Sequence, residues 1–426
     1  MTAHSFVLQA DICYSTSPQT LETLENGYLV CEAGRCAGVF PALPRQYEAL
    51  PLIDCRGCLA LPGLVDLHVH APQYAFRGLG MDLELLEWLN TRTFPEESRY
   101  ADPDYAAAAY RRFVGDVARG PNTRACVFAT LHTDATILLM DLLEDAGLCT
   151  MVGKVNMDRN SPDCLREADA RASASATEDW LRKIEGRYRH THPILTPRFI
   201  PSCTDQLMEE LHRIQQRFHL PVQSHLSENR DEIAWVRELC PQARHYGDAY
   251  HRFGLFGGQG CPTVMAHCVH SDSEELALMK AQRVFVAHCP ASNTNLSSGI
   301  APARRFLSEG IPMGLGSDVA GGTHTSIFRA MADAIQVSKL RWRLADASLP
   351  PLTAAEAFYL GTAGGGAFFG KVGTFAPGWE FDAIVLDDSR YTPPGTLCLT
   401  DRLERSIYLS DERDLRHKFV QGRQLF

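Results

Sequence analysis

No stretch of the chain approaches the roughly 18 consecutive apolar residues that suggest a membrane span, so no transmembrane anchor is expected. A basic block is missing too: 41 Lys and Arg face 51 Asp and Glu, for a formal charge of −10. That balance argues against a protein that grips nucleic-acid backbones without regard to sequence. The opening MTAHSFVLQADICYS lacks a basic segment followed by a long apolar one. It does not read as a secretory signal, and a cytoplasmic location is expected. The one CxxC, Cys55 to Cys58, has no second pair at zinc-ribbon spacing. The fourteen cysteines, scattered through segments such as ACVFAT and TVMAHC, read as reduced, buried small hydrophobes. Internal repeats, low-complexity tracts and a Gly-rich phosphate loop after the first α/β strand are all missing.

What is present is a globular composition, 45% hydrophobic and 22% charged over 426 residues, enough for a large core. Residues 6–59 alternate short strands with turns, and EFDAIVLD and HKFVQGRQLF near the other end have the same texture. Between them, apolar strands alternate with amphipathic helices, the pattern of a parallel α/β sheet or barrel. The strand candidates cover 63–70, 125–132, 149–158, 192–199, 221–228, 263–270, 283–289 and 312–319. Their number is that of a closed (β/α)8 barrel. A doubly wound open sheet is the rival, disfavoured by the missing phosphate loop. In TDQLMEELHRIQQRFHL, Leu207, Leu211, Ile214 and Phe218 share one helical face.

Polar residues collect at one end of these strands. His68, His70, Arg198, His225, Glu228, His267, His288 and Asp318 all lie at or just past C-terminal strand ends, the rim on which barrels of this type build active sites. In His68-Val69-His70, alternation sends both imidazoles to one side of the strand, so they can grip one ion. Three further strands end in a possible ligand: His225, His267 and Asp318. Imidazole and carboxylate donors are most simply read as a Zn²⁺ site, and Fe²⁺ or Mn²⁺ also fits.

LPGLVDLHVH, SHLSEN, AHCVH, AHCP and GLGSD, in that order, resemble the amidohydrolase superfamily. Longer matches, HAPQYAFRG, LLEWLNTRTFPEE, FATLHTD, TPRF, SHLSENRDE and GLGSDVAGGTHTS, are similar to the guanine deaminases within it. The resemblance implies a (β/α)8 TIM barrel over 61–371 and a small β-sandwich built from 1–60 and 372–426. It implies one metal ion per chain, because the fourth strand ends in TPRF without the lysine that bridges two ions in binuclear members. Lys154, on the third strand, reads as a packed or solvent-facing lysine.

By the same resemblance His68, His70, His225 and Asp318 ligate the ion, and His267 contacts it or orients the attacking water. Glu228, three residues after His225, is the proton shuttle, and Asp318 also accepts a proton from the water. Gln73, Arg198 and Phe199, with His225, Glu228 and Trp88, bind the ring: a carboxamide and a planar fork for its N and C=O edge, an aromatic face for stacking. The implied activity is hydrolytic deamination of guanine to xanthine and ammonia, by a homodimer whose partner is a small purine. The alternatives are a deaminase of 8-oxoguanine, a pterin or a cytosine-like base, and a cyclic amidohydrolase, against which the missing lysine counts. His132, His288 and the pair Phe368-Phe369 read as structural.

Overall fold

The computed structural model of the chain describes residues 5–426, so the first four residues of the 1–60 segment lie outside the described residues. All eight strand candidates become strands. Leu64–His70, Asn122–Phe128, Cys149–Gly153 and Thr191–Pro193 form one parallel sheet in that order. Val222–Leu226, Thr263–His267, Phe285–His288 and Met313–Leu315 form a second. A parallel bridge, Leu195 to Val222, links the sheets on one side. On the other, Asp318 N donates to His68 O at 2.8 Å and His70 N to Val319 O at 3.2 Å. The first strand is buried at every position, as suits a parallel strand covered on both faces.

Two of the expected strands are interrupted. The runs 149–158 and 192–199, expected as single strands, each break in the middle. Their second halves, Val155–Asn156 and Thr196–Pro197, pair with each other as a separate ribbon. Pro193 and Pro197 have no amide hydrogen to give to a continuous ladder. The amphipathic helix forms over Asp205–Phe218, with Thr204 accepting from Leu207 N at 3.1 Å as its N-cap. Leu207, Leu211 and Ile214 are buried, and Phe218 is partly so. Among the described residues no helix is long and apolar enough to cross a membrane.

Strands from both ends of the chain combine in a single seven-stranded sheet. Phe6–Ser17, Thr20–Glu32, Arg35–Phe40 and Leu52–Pro62 join Ala383–Leu386, Leu415–Val420 and Arg423–Gln424. Phe6 stacks on Phe419 at 5.0 Å and meets Phe381 edge-on at 5.2 Å in its apolar core. Cys55 and Cys58 are buried free thiols in that same core.

Two buried basic side chains tie the parts together. Arg124, on the strand Asn122–Phe128, donates to Asp382 at 2.6 Å and to Glu380 at 2.6 Å. Lys418 Nζ donates to the carbonyls of Val117, Ala118 and Gly120, satisfying the last turn of the helix Pro103–Arg119. Asp382 has no solvent-exposed side chain. Arg124→Met therefore leaves a buried carboxylate without its partner, at an expected cost of about 3–5 kcal/mol. A urea denaturation series reads that loss as a lower midpoint at unchanged slope.

Candidate functional site

The C-terminal ends of the first, fifth, sixth and eighth parallel strands bring His68, His70, His225, His267 and Asp318 to one point. His70 Nε2 lies 3.2 Å from His68 Nε2 and 3.2 Å from His225 Nε2. Asp318 Oδ1 is 3.2 Å from His68 Nε2 and 3.6 Å from His70 Nε2. His267 Nε2 faces Asp318 Oδ2 at 3.7 Å. His68, His70, His267 and Asp318 are buried, and His225 is partly so.

Outer contacts fix which ring atoms face inward. Arg198 O accepts from His225 Nδ1 at 2.6 Å, so the His225 proton sits there and the Nε2 lone pair points into the cup. Asn293 Oδ1 likewise holds His267 Nδ1 at 2.8 Å. Burial, followed by the neighbouring imidazoles, holds both His70 and His225 well below the usual histidine range, so they are neutral. Burial opposes ionisation of Asp318. His68, His267 and His70 outweigh it and keep the carboxyl well below its ordinary range.

The Nε2 atoms of neutral His70 and His225, 3.2 Å apart, repel through their lone pairs unless a cation lies between them. The spacing suits one: donors about 2.0–2.1 Å from a tetrahedral ion stand about 3.3 Å apart. The donor set thus fits a divalent ion. Cys289 Sγ also comes within ligand range of His267 and Asp318. It remains a thiol, because burial and the nearby carboxylates push it up and Ala287 O accepts its hydrogen at 3.4 Å.

Backbone strain gathers here. Ser227, His267, Cys268 and Asp318 all take the left-handed region, with φ of +47°, +73°, +51° and +45°. Non-glycine residues persist there only where surroundings over-determine them. Asp66, two residues before His68, accepts from His68 N at 3.2 Å and from Ser317 N and Oγ at 3.0 and 2.5 Å. It locks the first and eighth strand ends to each other.

Glu228 lies in the turn after the fifth strand. Asn229, not Glu228, caps the helix Arg230–Leu239, in a capping box with Glu232. The Glu228 carboxyl is free to face His267 Nε2 at 3.4 Å and to accept from Ser298 Oγ at 3.3 Å. Burial and the Asp318 carboxylate push it well above the usual carboxylate range.

These groups open on a cavity that Gln73, Trp88, Arg198 and Phe199 also line. Trp88 is anchored by donation from Nε1 to Leu79 O at 3.3 Å and packs on Phe76 at 5.4 Å. Phe199 is held edge-on to Trp235 at 6.4 Å. Residues expected to be structural stay outside the cavity lining. Lys154 is a buried partner of Glu167 at 2.5 Å, and Phe368 packs in the sheet interior. His288 is buried with neither ring nitrogen partnered, its pKa pushed down to about 4 by burial and by His267. Asp66, Asn293, Ser298 and Glu97, which accepts from both Gln73 and Arg198, were not singled out from the sequence.

Comparison with known proteins places the chain in a family. The profile of the amidohydrolase family matches residues 59–425. A guanine deaminase of Dictyostelium discoideum is 39% identical over 89% of this chain and 85% of its own length. The guanine deaminase of Escherichia coli is 33% identical over 95% of this chain and 92% of its own. A crystal structure of guanine deaminase from C. acetobutylicum with guanine in its active site superposes with a TM-score of 0.96. That structure is 44% identical to this chain and covers 99% of it, matched over 100% of its own length.

Proposed function

The chain belongs to the amidohydrolase family, and on that premise we propose that it hydrolyses guanine to xanthine and ammonia. One observation carries the reading: the imidazole–carboxylate cup and Glu228 share a cavity with Gln73, Arg198 and Phe199. Reaction centre and ring-reading groups are within one small volume. The architecture is a (β/α)8 barrel over 61–371 with a β-sandwich from 1–60 and 372–426. Its support is two four-stranded parallel sheets linked at both margins, and one apolar core shared by the terminal strands.

His68, His70, His225 and Asp318 would hold one divalent ion, with His267 beside it, and zinc would suit that donor set. A divalent ion held there would supply a water acidic enough to attack at neutral pH. His267 and Asp318 are placed to orient the attacking water toward the amino-bearing ring carbon. As the C–O bond forms, the C=N electron pair moves onto the ring nitrogen, and Glu228 delivers to it the proton taken from water. Glu228 then carries the hydroxyl proton to the amino group. The C–N bond breaks, ammonia leaves and a carbonyl remains. Gln73 and Arg198 grip the N–H and C=O edge while Phe199 packs on the ring face.

The reading places the enzyme in the cytoplasm as a homodimer, the latter carried over from the family resemblance. Twelve of its fourteen cysteines are buried thiols, which suits a reducing compartment. Ultraviolet monitoring tests the activity: guanine should convert to xanthine with one ammonia released per ring. Turnover of 8-oxoguanine, a pterin or cytosine with guanine left untouched would overturn it.

A further inference from the structure

Behind the ring-reading groups lies a carboxylate with nearly complete burial. Glu97, on the helix Phe94–Ser98, is 1% exposed. Its Oε1 accepts from Gln73 Nε2 at 2.9 Å and from Arg198 Nη2 at 3.1 Å, and its Oε2 from Arg198 Nη1 at 2.5 Å. On the far side of the carboxamide, Gln73 Oε1 accepts from Ala320 N at 3.3 Å. The two contacts make opposite demands. A carboxylate can only accept and an amide N–H can only donate, so the orientation of the Gln73 amide is fixed.

We propose that Glu97 is the positioning residue that makes this cavity select a neutral lactam ring over its anion, an inference that rests on the guanine reading above. Held in one orientation, Gln73 keeps one Nε2 hydrogen and one Oε1 lone pair for the ring edge. Arg198 has its charge matched by a bidentate partner, the strongest pairing open to a guanidinium. An unmatched guanidinium in a buried cavity would favour whichever ligand brought a negative charge. Matched, it acts as a neutral array of donors. Guanine offers a neutral N–H and C=O edge, whereas its deamination product, with one more C=O and one more ring N–H, ionises more readily. The Glu97–Arg198 pair therefore denies the product's anion extra affinity, and the product is released.

Binding of two non-reacting purines at one neutral pH tests this: hypoxanthine, which is neutral, and urate, which is an anion. Calorimetry on the metal-loaded chain should show hypoxanthine bound more tightly than urate. Glu97→Gln should move the affinity ratio at least tenfold toward urate, and Glu97→Asp, which keeps the charge, should stay near wild type. Arg198→Gln, which leaves Glu97 unmatched, should move the ratio at least tenfold the other way, and it decides the matter if Glu97→Gln does not fold. A general loss of packing would weaken both ligands alike. Wild-type preference for urate, or a folded variant with an unmoved ratio, overturns the proposal. Loss of the guanine reading would show separately, as a wild-type chain that binds these rings and releases no ammonia from guanine.

Discussion

Glu228→Gln lowers kcat by about 10²–10⁴-fold while metal content stays unchanged. The amide has the shape of the carboxyl and can still accept from Ser298 Oγ, 3.3 Å away in the wild type. What it loses is the ability to take up a proton and release it again. Glu228 contacts His267, and the capping of the adjacent helix belongs to Asn229 and Glu232, so the substitution leaves the helix start intact. Elemental analysis beside steady-state kinetics checks both halves. A variant that loses its metal would make Glu228 a ligand, and one with unimpaired turnover would move the proton transfer elsewhere.

Withdrawing the metal is expected to cost about as much or more. Chelation should reduce guanine turnover by about 10³-fold or beyond, since the ion contributes several kcal/mol of barrier lowering. One equivalent of Zn²⁺ should restore it. The same treatment should lower the melting temperature, because an ion bound only by the folded chain stabilises that state by mass action. The crowding of His68, His70 and His225 at 3.2 Å gives the physical reason. A chain shown by analysis to be metal-free and still fully active would refute the assignment of the cup.

The cup was legible in the sequence because its determinants are local. Alternation along one strand puts His68 and His70 on one side, and the other members each follow their own apolar run. The groups behind the cup were hidden. Glu97 stands next to Glu96 in the same short helix, yet Glu96 turns to Tyr105 and Arg99 while Glu97 turns inward. Nothing in the pair Glu-Glu tells the two apart, since the difference depends on Gln73 and Arg198, 24 and 101 residues away. Asp66 is similar: its partner Ser317 is 251 residues distant. The interruptions in the third and fourth strands escaped notice because the runs 149–158 and 192–199 are apolar throughout enough of their length to look continuous.

The Arg124 contacts also bear on how the molecule is made. Its guanidinium lies in the sheet that carries the first histidines, but its carboxylate partners are Glu380 and Asp382, more than 250 residues later. During synthesis, every member of the imidazole–carboxylate cup is made before the counterions this cation needs. Until that last segment arrives, the guanidinium is expected to stay in water, and the sheet around it cannot close over a matched pair. A chain cut between residues 318 and 380 therefore keeps the whole cup and loses the partners that let Arg124 be buried.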